Sequence, residues 1–192
     1  MICFRFKNLV YIPTFKNASS TYSKFFSNLG WTPGAVDFLD WDGDIIFSHI
    51  SDPYNRHIKG IVEFLKIKNL IECVDDPKFL TLVSHGFFDQ HSYPLHMMLG
   101  EKVNKIYWIP IDHPGASSQE LTCKFLKKHN VSVDQTTIID EHVTTDLQTH
   151  NARQKILHQC QQANFRNNQQ FFALDFDNLI YQSCVKKFNN WI

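Results

Sequence analysis

The chain has no excess of either charge: nineteen Lys and Arg are cancelled by nineteen Asp and Glu. The whole molecule therefore exerts no net pull on a polyanion, no basic patch rises above the balance, and no nucleic-acid partner is expected. Any anion must be held in a local pocket. Paired-cysteine motifs are missing too. The five cysteines, Cys3, Cys73, Cys123, Cys160 and Cys184, are odd in number, widely spaced and without a CxxC. That argues against a disulfide framework and against a zinc site, and leaves buried thiols in a reducing compartment as the expectation. No apolar run approaches the ~20 residues that cross a bilayer, and no basic-then-apolar leader with a cleavage site is present. A soluble, cytoplasmic protein without a membrane partner is expected, in a bacterial or viral setting. The glycine-rich GxxxxGK[ST] phosphate loop is also absent, which argues against an ordinary ATPase or kinase. No internal repeat is apparent.

What is present suits one domain over residues 1–192: 43% hydrophobic residues and seventeen Phe supply a substantial core. The chain is organised around residues 11–26, YIPTFKNASSTYSKFF. A first strand starts almost at Met1. Leu9, Val10, Tyr11 and Ile12 then read as a short strand covered on both faces, and Pro13 ends it. Ser19 or Ser20 is placed to cap a helix on which Tyr22, Phe25, Phe26 and Leu29 recur at helical spacing, with Gly30 as its stop. Between strand and helix stands Lys16. A helix N-terminus offers unpaired N–H groups and the positive end of its dipole, so an ammonium and a run of hydroxyls beside it make an anion cradle, with phosphate or sulfate as guest.

Further along, residues 30–43 read as loop with a short strand near 36–39, and DIIFSHI at 44–50 is a second buried strand. Asp52 with Pro53 starts a helix whose apolar face is Tyr54, Ile58, Ile61, Val62 and Leu65, with Arg56, Lys59, Glu63 and Lys66 on the other. Asp76 and Pro77 open a short helix carrying Phe79, Leu80, Leu82 and Val83 as its apolar residues. KIYWIPI at 105–111 is a third strand candidate, Ser117 with Glu120 makes a capping box for a helix to about His129, and 136–139 reads as an edge strand. Helical spacing returns at Ala152, Ile156, Leu157, Cys160 and Ala163, and in an apolar stripe of Phe176, Leu179, Ile180 and Cys184. The fold class is α/β, with a mostly parallel sheet of about four or five strands flanked on both faces by helices.

Four stretches in this order resemble the sulfotransferases that use 3′-phosphoadenosine-5′-phosphosulfate (PAPS), above all the carbohydrate sulfotransferase branch. Pro13, Lys16, Ala18, Ser19, Ser20 and Thr21 are similar to the family's 5′-phosphosulfate loop. Asp52, Pro53, Tyr54 and Arg56 match its 3′-phosphate junction, with Ser51 where the family has an arginine and Lys59 where it has a serine. Asp89, His91 and Pro94 resemble an Asp-x-His-x-x-Pro-Gln element near the acceptor, with Leu95 in place of the glutamine. Asp175, Phe176, Leu179 and Tyr181 match a closing helix.

The resemblance implies a three-layer, P-loop NTPase-like domain and transfer of a sulfuryl group from PAPS to a hydroxyl or amine of a carbohydrate or small-molecule acceptor, without a metal. Lys16 would neutralise the bridging and 5′-phosphate oxygens, and Asn17, Ala18, Ser19, Ser20 and Thr21 would cradle the nonreacting ones. Ser51, Arg56 and Lys59 would hold the 3′-phosphate. His91 oriented by Asp89 is the first choice of base, followed by His85 and His49 among ten histidines. Two alternatives stand beside this: a noncatalytic binding protein of the same fold with a degenerate 3′-phosphate site, and a nucleotide kinase.

Overall fold

The structure is a computed structural model, and it describes residues 1–14, 17–84, 92–133, 147–162 and 172–189. Lys16, His85, Asp89, His91 and the strand expected at 136–139 lie outside the described residues. The contacts cluster into two compact units. The first comprises Met1–Ser51, Leu99–His142 and Ile180–Ile192, the second Asp52–Met98 and Val143–Leu179.

The first unit is built on a five-stranded sheet of order β3-β1-β2-β4-β5, with β1 at Ile2–Phe6, β2 at Leu9–Tyr11, β3 at Thr32–Ala35, β4 at Ile45–Ile50 and β5 at Tyr107–Pro110. β1 is antiparallel to both β2 and β3, while β2, β4 and β5 are mutually parallel. The sheet is therefore mixed, with β1 running against the other four strands. The β1–β2 hairpin turns at Lys7, held at φ 55, a residue type that carries no hairpin signal. The short strand expected at 36–39 lies instead at Thr32–Ala35, and Val36–Phe38 forms a 3₁₀ turn. Pro33 is tolerated because β3 is an edge strand.

Helix α1 (Ser19–Asn28) and helix α5 (Ser118–Lys128) cover the same face of this sheet. Tyr11 and Phe47 are register partners on β2 and β4 and so point the same way. Phe26 of α1 packs on Tyr11 at 4.6 Å between ring centroids, and Phe125 of α5 packs on Phe47 at 4.8 Å. Burying each such ring is worth ~1.5–3 kcal/mol, and a well-placed aromatic pair adds ~0.5–1.5 kcal/mol. Gly30 ends α1 at φ 77, where its N–H and that of Trp31 return to the carbonyls of Ser27 and Phe26.

The second unit is helical: α2 (Pro53–Ile67), α3 (Pro77–Ser84), α4 (Leu95–Leu99), α6 (Leu147–Gln162) and the first part of α7 (Phe172–Asn189). The apolar face of α2 packs with Val83, Ala152, Ile156 and Cys160. Asp52 caps α2 by accepting from the N–H of Asn55 at 2.9 Å. Two expectations fail here. Arg56 belongs to the buried side of α2, and Leu82 on α3 is exposed. Helix α7 buries Leu174, Asp177, Tyr181, Cys184 and Phe188, a 3–4 repeat, and leaves Phe176 and Leu179 exposed at 41% and 68%. The register is shifted because Asp177 has a buried partner waiting for it.

All five cysteines are free, four of them buried and Cys73 exposed. Among the described residues no helix is long and apolar enough to cross a membrane.

Candidate functional site

The topology singles out the carboxyl ends of β2 and β4. These parallel strands are neighbours, yet the chain leaving β2 runs through α1 to β3 on one side of the pair and the chain leaving β4 goes on to β5 on the other. Connections that depart in opposite directions from adjacent parallel strands mark the switch point where open α/β sheets take their ligands.

A buried polar network ties the two strand ends together. The Asn17 side chain, fully buried, accepts from both the N–H and the hydroxyl of Ser51 at 2.8 Å. Its amide donates to the hydroxyl of Thr14 at 2.9 Å, and Thr14 in turn donates to the carbonyl of His49 at 3.1 Å. Ser48 donates to the carbonyl of Ile12 at 2.5 Å. The loop after β2 is thereby stapled to the end of β4, since unmet buried donors or acceptors would each cost ~1–3 kcal/mol.

This staple shapes the start of α1. The cap position falls on Ala18, in the left-handed region at φ 54, with no side-chain cap. Ser19 and Ser20 lie inside the first turn instead of capping it. The contrast with the other strand-following helices is sharp: Asp52 caps α2, and the Ser117 hydroxyl accepts the N–H of Glu120 at 3.1 Å to cap α5. The α1 terminus has neither a side-chain cap nor an acidic residue in its first turn, so its amide dipoles and the hydroxyls of Ser19, Ser20 and the buried Thr21 stand where an anion is favoured.

His49, on β4, belongs to the core of the first unit. Its ring stacks on Tyr22 at 3.5 Å. The Thr122 hydroxyl donates to the carbonyl of Ser118 at 2.7 Å, so it accepts from His49 Nε2 at 2.9 Å, and His49 Nδ1 accepts from the Tyr11 hydroxyl at 3.4 Å. Burial pulls its pKa down to about 3. A ring held neutral and fully enclosed is a structural residue, unsuited to be a base at neutral pH. No protein family, curated protein or solved structure matches this chain.

In the second unit, Arg56 is fully buried and its Nη2 donates to Asp177 at 3.1 Å. Asp177 also accepts from the N–H of Leu95 at 2.5 Å and from the N–H and ring of His96 at 3.3 and 3.2 Å. Burial lowers the pKa of Arg56, and the neighbouring carboxylate pulls it back up. Nε and Nη1 of Arg56 have no hydrogen-bond partner among the described residues. Lys59 lies half-buried on the same helix.

The structure thus brings Asn17, Ala18, Ser19, Ser20, Thr21 and Ser51 to one strand-end junction, and sets Arg56 and Lys59 on α2. Two members of these networks, Thr14 and Asp177, are not among the candidate residues that the sequence offers. Thr14 is three residues before Asn17, the spacing of a turn, which is a legible signal; Asp177 falls inside the 3–4 repeat of Leu174, Tyr181, Cys184 and Phe188, where a hydrophobic pattern does not mark a carboxylate as buried.

Proposed function

We propose that this chain is a PAPS-dependent sulfotransferase with a three-layer, P-loop NTPase-like core, acting on a hydroxyl or amine of a carbohydrate or small molecule. The observation that carries the reading is the uncapped N-terminus of α1, pinned by Asn17 and Ser51 at the switch point between β2 and β4. The orphaned nitrogens of Arg56 supply the test of fit. A buried guanidinium with two unmet donors suits an anionic oxygen, as a 3′-phosphate provides. When bound, PAPS supplies the sulfuryl group and a phosphate leaving group. The chain's own part is positioning and charge. Amides and hydroxyls at Ala18, Ser19, Ser20 and Thr21 hold oxygens, Lys16 neutralises the leaving phosphate, Arg56 and Lys59 hold the 3′-phosphate, and His91, oriented by Asp89, takes the acceptor's proton. Asn17 and Ser51 act by fixing the loop.

Transfer is tested by incubating the chain with labelled PAPS and a panel of sugar and hydroxylated acceptors. Labelled product is expected with the native chain and none with Lys16→Ala at unchanged melting temperature; undiminished turnover in that variant overturns the reading.

One observation favours a second reading, a noncatalytic binding protein with a degenerate 3′-phosphate site. Ser51 is held by Asn17 and Arg56 by Asp177. Such a protein would be stabilised equally by 3′-phosphoadenosine-5′-phosphate and by adenosine 5′-phosphate, whereas the enzyme prefers the former.

A further inference from the structure

The turn that follows β5 in the first unit carries a donor without a partner among the described residues. β5 hydrogen-bonds to β4, and the ladder continues with the N–H of Ile111 on the carbonyl of Ile50 at 2.8 Å, one residue before Ser51. Two residues further along comes His113, only 8% exposed. Its turn is held at both ends. Tyr181 of α7 donates to the carbonyl of Asp112 at 3.4 Å, and Ser117 caps the helix that follows.

The tautomer of His113 is set by geometry. The N–H of Gly115 donates to Nδ1 at 3.1 Å, so that nitrogen carries a lone pair and the proton of the neutral ring sits on Nε2. Nε2 is buried and has no hydrogen-bond partner among the described residues. A general base needs a free lone pair, and here the one lone pair is already used; what remains is an N–H donor lacking an acceptor. Leaving it unmet costs ~1–3 kcal/mol, which an oxygen brought by a ligand would recover.

We propose that His113 is a ligand-binding residue of the strand-end site, donating its Nε2–H to an oxygen of a sulfate- or phosphate-class anion. This rests on the strand-end site proposed above, and it adds a neutral donor from the turn after β5 to the groups from α1 and the loop after β2. The oxyanion is either free or part of a nucleotide.

The test is long-range ¹⁵N NMR of the imidazoles in the whole chain, with His113→Gln assigning the signal, during titration with inorganic sulfate and with 3′-phosphoadenosine-5′-phosphate. The free protein is expected to show the Nε2–H tautomer, and its Nε2 signal is expected to move on saturation. His113→Phe is expected to weaken binding about tenfold or more, and His113→Gln, which keeps an N–H donor, by less. A proton on Nδ1 overturns the assignment, as does nucleotide binding that leaves Nε2 unmoved or is unchanged in His113→Phe. The first of these leaves the nucleotide site standing. Movement under sulfate without nucleotide binding overturns the cofactor and keeps His113, and binding of neither overturns both.

Discussion

At the ends of β2 and β4 in the first unit, buried polar side chains are neutral and meet neutral partners: Asn17 with Ser51 and Thr14, His49 with Tyr11 and Thr122. In the second unit the central buried polar contact is charged. Arg56 is paired with Asp177, and the same carboxylate receives the N–H groups that open α4. Neutral networks lose a modest amount when one member goes. A buried charge stripped of its counter-ion loses far more, because desolvation is no longer compensated. Among the described residues the second unit thus centres its buried charge on this pair, while the first spreads its buried polar contacts over several hydroxyls and amides.

The largest effect is expected from Asp177→Asn, which leaves Arg56 buried without its carboxylate and should cost ~3–5 kcal/mol in urea unfolding. Converting both partners in Arg56→Met with Asp177→Leu should recover most of that loss. A double variant as unstable as the single would show that the carboxylate serves α4 more than Arg56.

Acid is expected to strain both units through their buried histidines. Burial pulls His49 down to about 3; in His57 burial is again the main cause, partly opposed by a bond to the carbonyl of Ser92, and the result is about 4. Both lie below the unfolded value of 6.5, so the unfolded chain binds more protons. Stability is then fully present above pH 6.5 and falls as the pH drops towards 4, by about 1.4 kcal/mol per pH unit for each ring. Urea unfolding at pH 7 and 5 reads it. His49→Gln should roughly halve the slope, and an unchanged slope would remove the first unit from the effect.

Asn17→Ala should cost ~1–3 kcal/mol by removing the acceptor of the Ser51 N–H and hydroxyl and the donor to Thr14. The smallest effect is expected at Ala18, whose left-handed backbone costs an L-residue ~1–2 kcal/mol, so Ala18→Gly should stabilise by up to about 1 kcal/mol after the entropy of glycine is subtracted.

Much of this was legible. The strand at Leu9–Tyr11, the Asp52 cap, the Ser117 capping box and the apolar face of α2 follow from local rules that tertiary packing did not overturn. The strand at Thr32–Ala35 was hidden because Pro33 and Gly34 read as loop, and only the pairing with β1 makes them a strand. Arg56 looked like a solvated position because helical periodicity counts charge as exposed; its partner is 121 residues away. The α7 register was misread for the same reason, since the hydrophobic pattern cannot register Asp177 as a buried residue. The site was half legible: the loop chemistry was visible, but the staple joining Asn17 to Ser51 is a contact 34 residues apart.

The most direct measurement of the central claim is calorimetric titration of the intact chain with 3′-phosphoadenosine-5′-phosphate, repeated with Lys16→Ala and with adenosine 5′-phosphate. Saturable binding at one site is expected, weakened by at least about tenfold in the variant and for the nucleotide lacking the 3′-phosphate. Absence of binding, or equal affinity for both nucleotides in both proteins, would contradict the assignment of the β2–α1 turn as a phosphosulfate site.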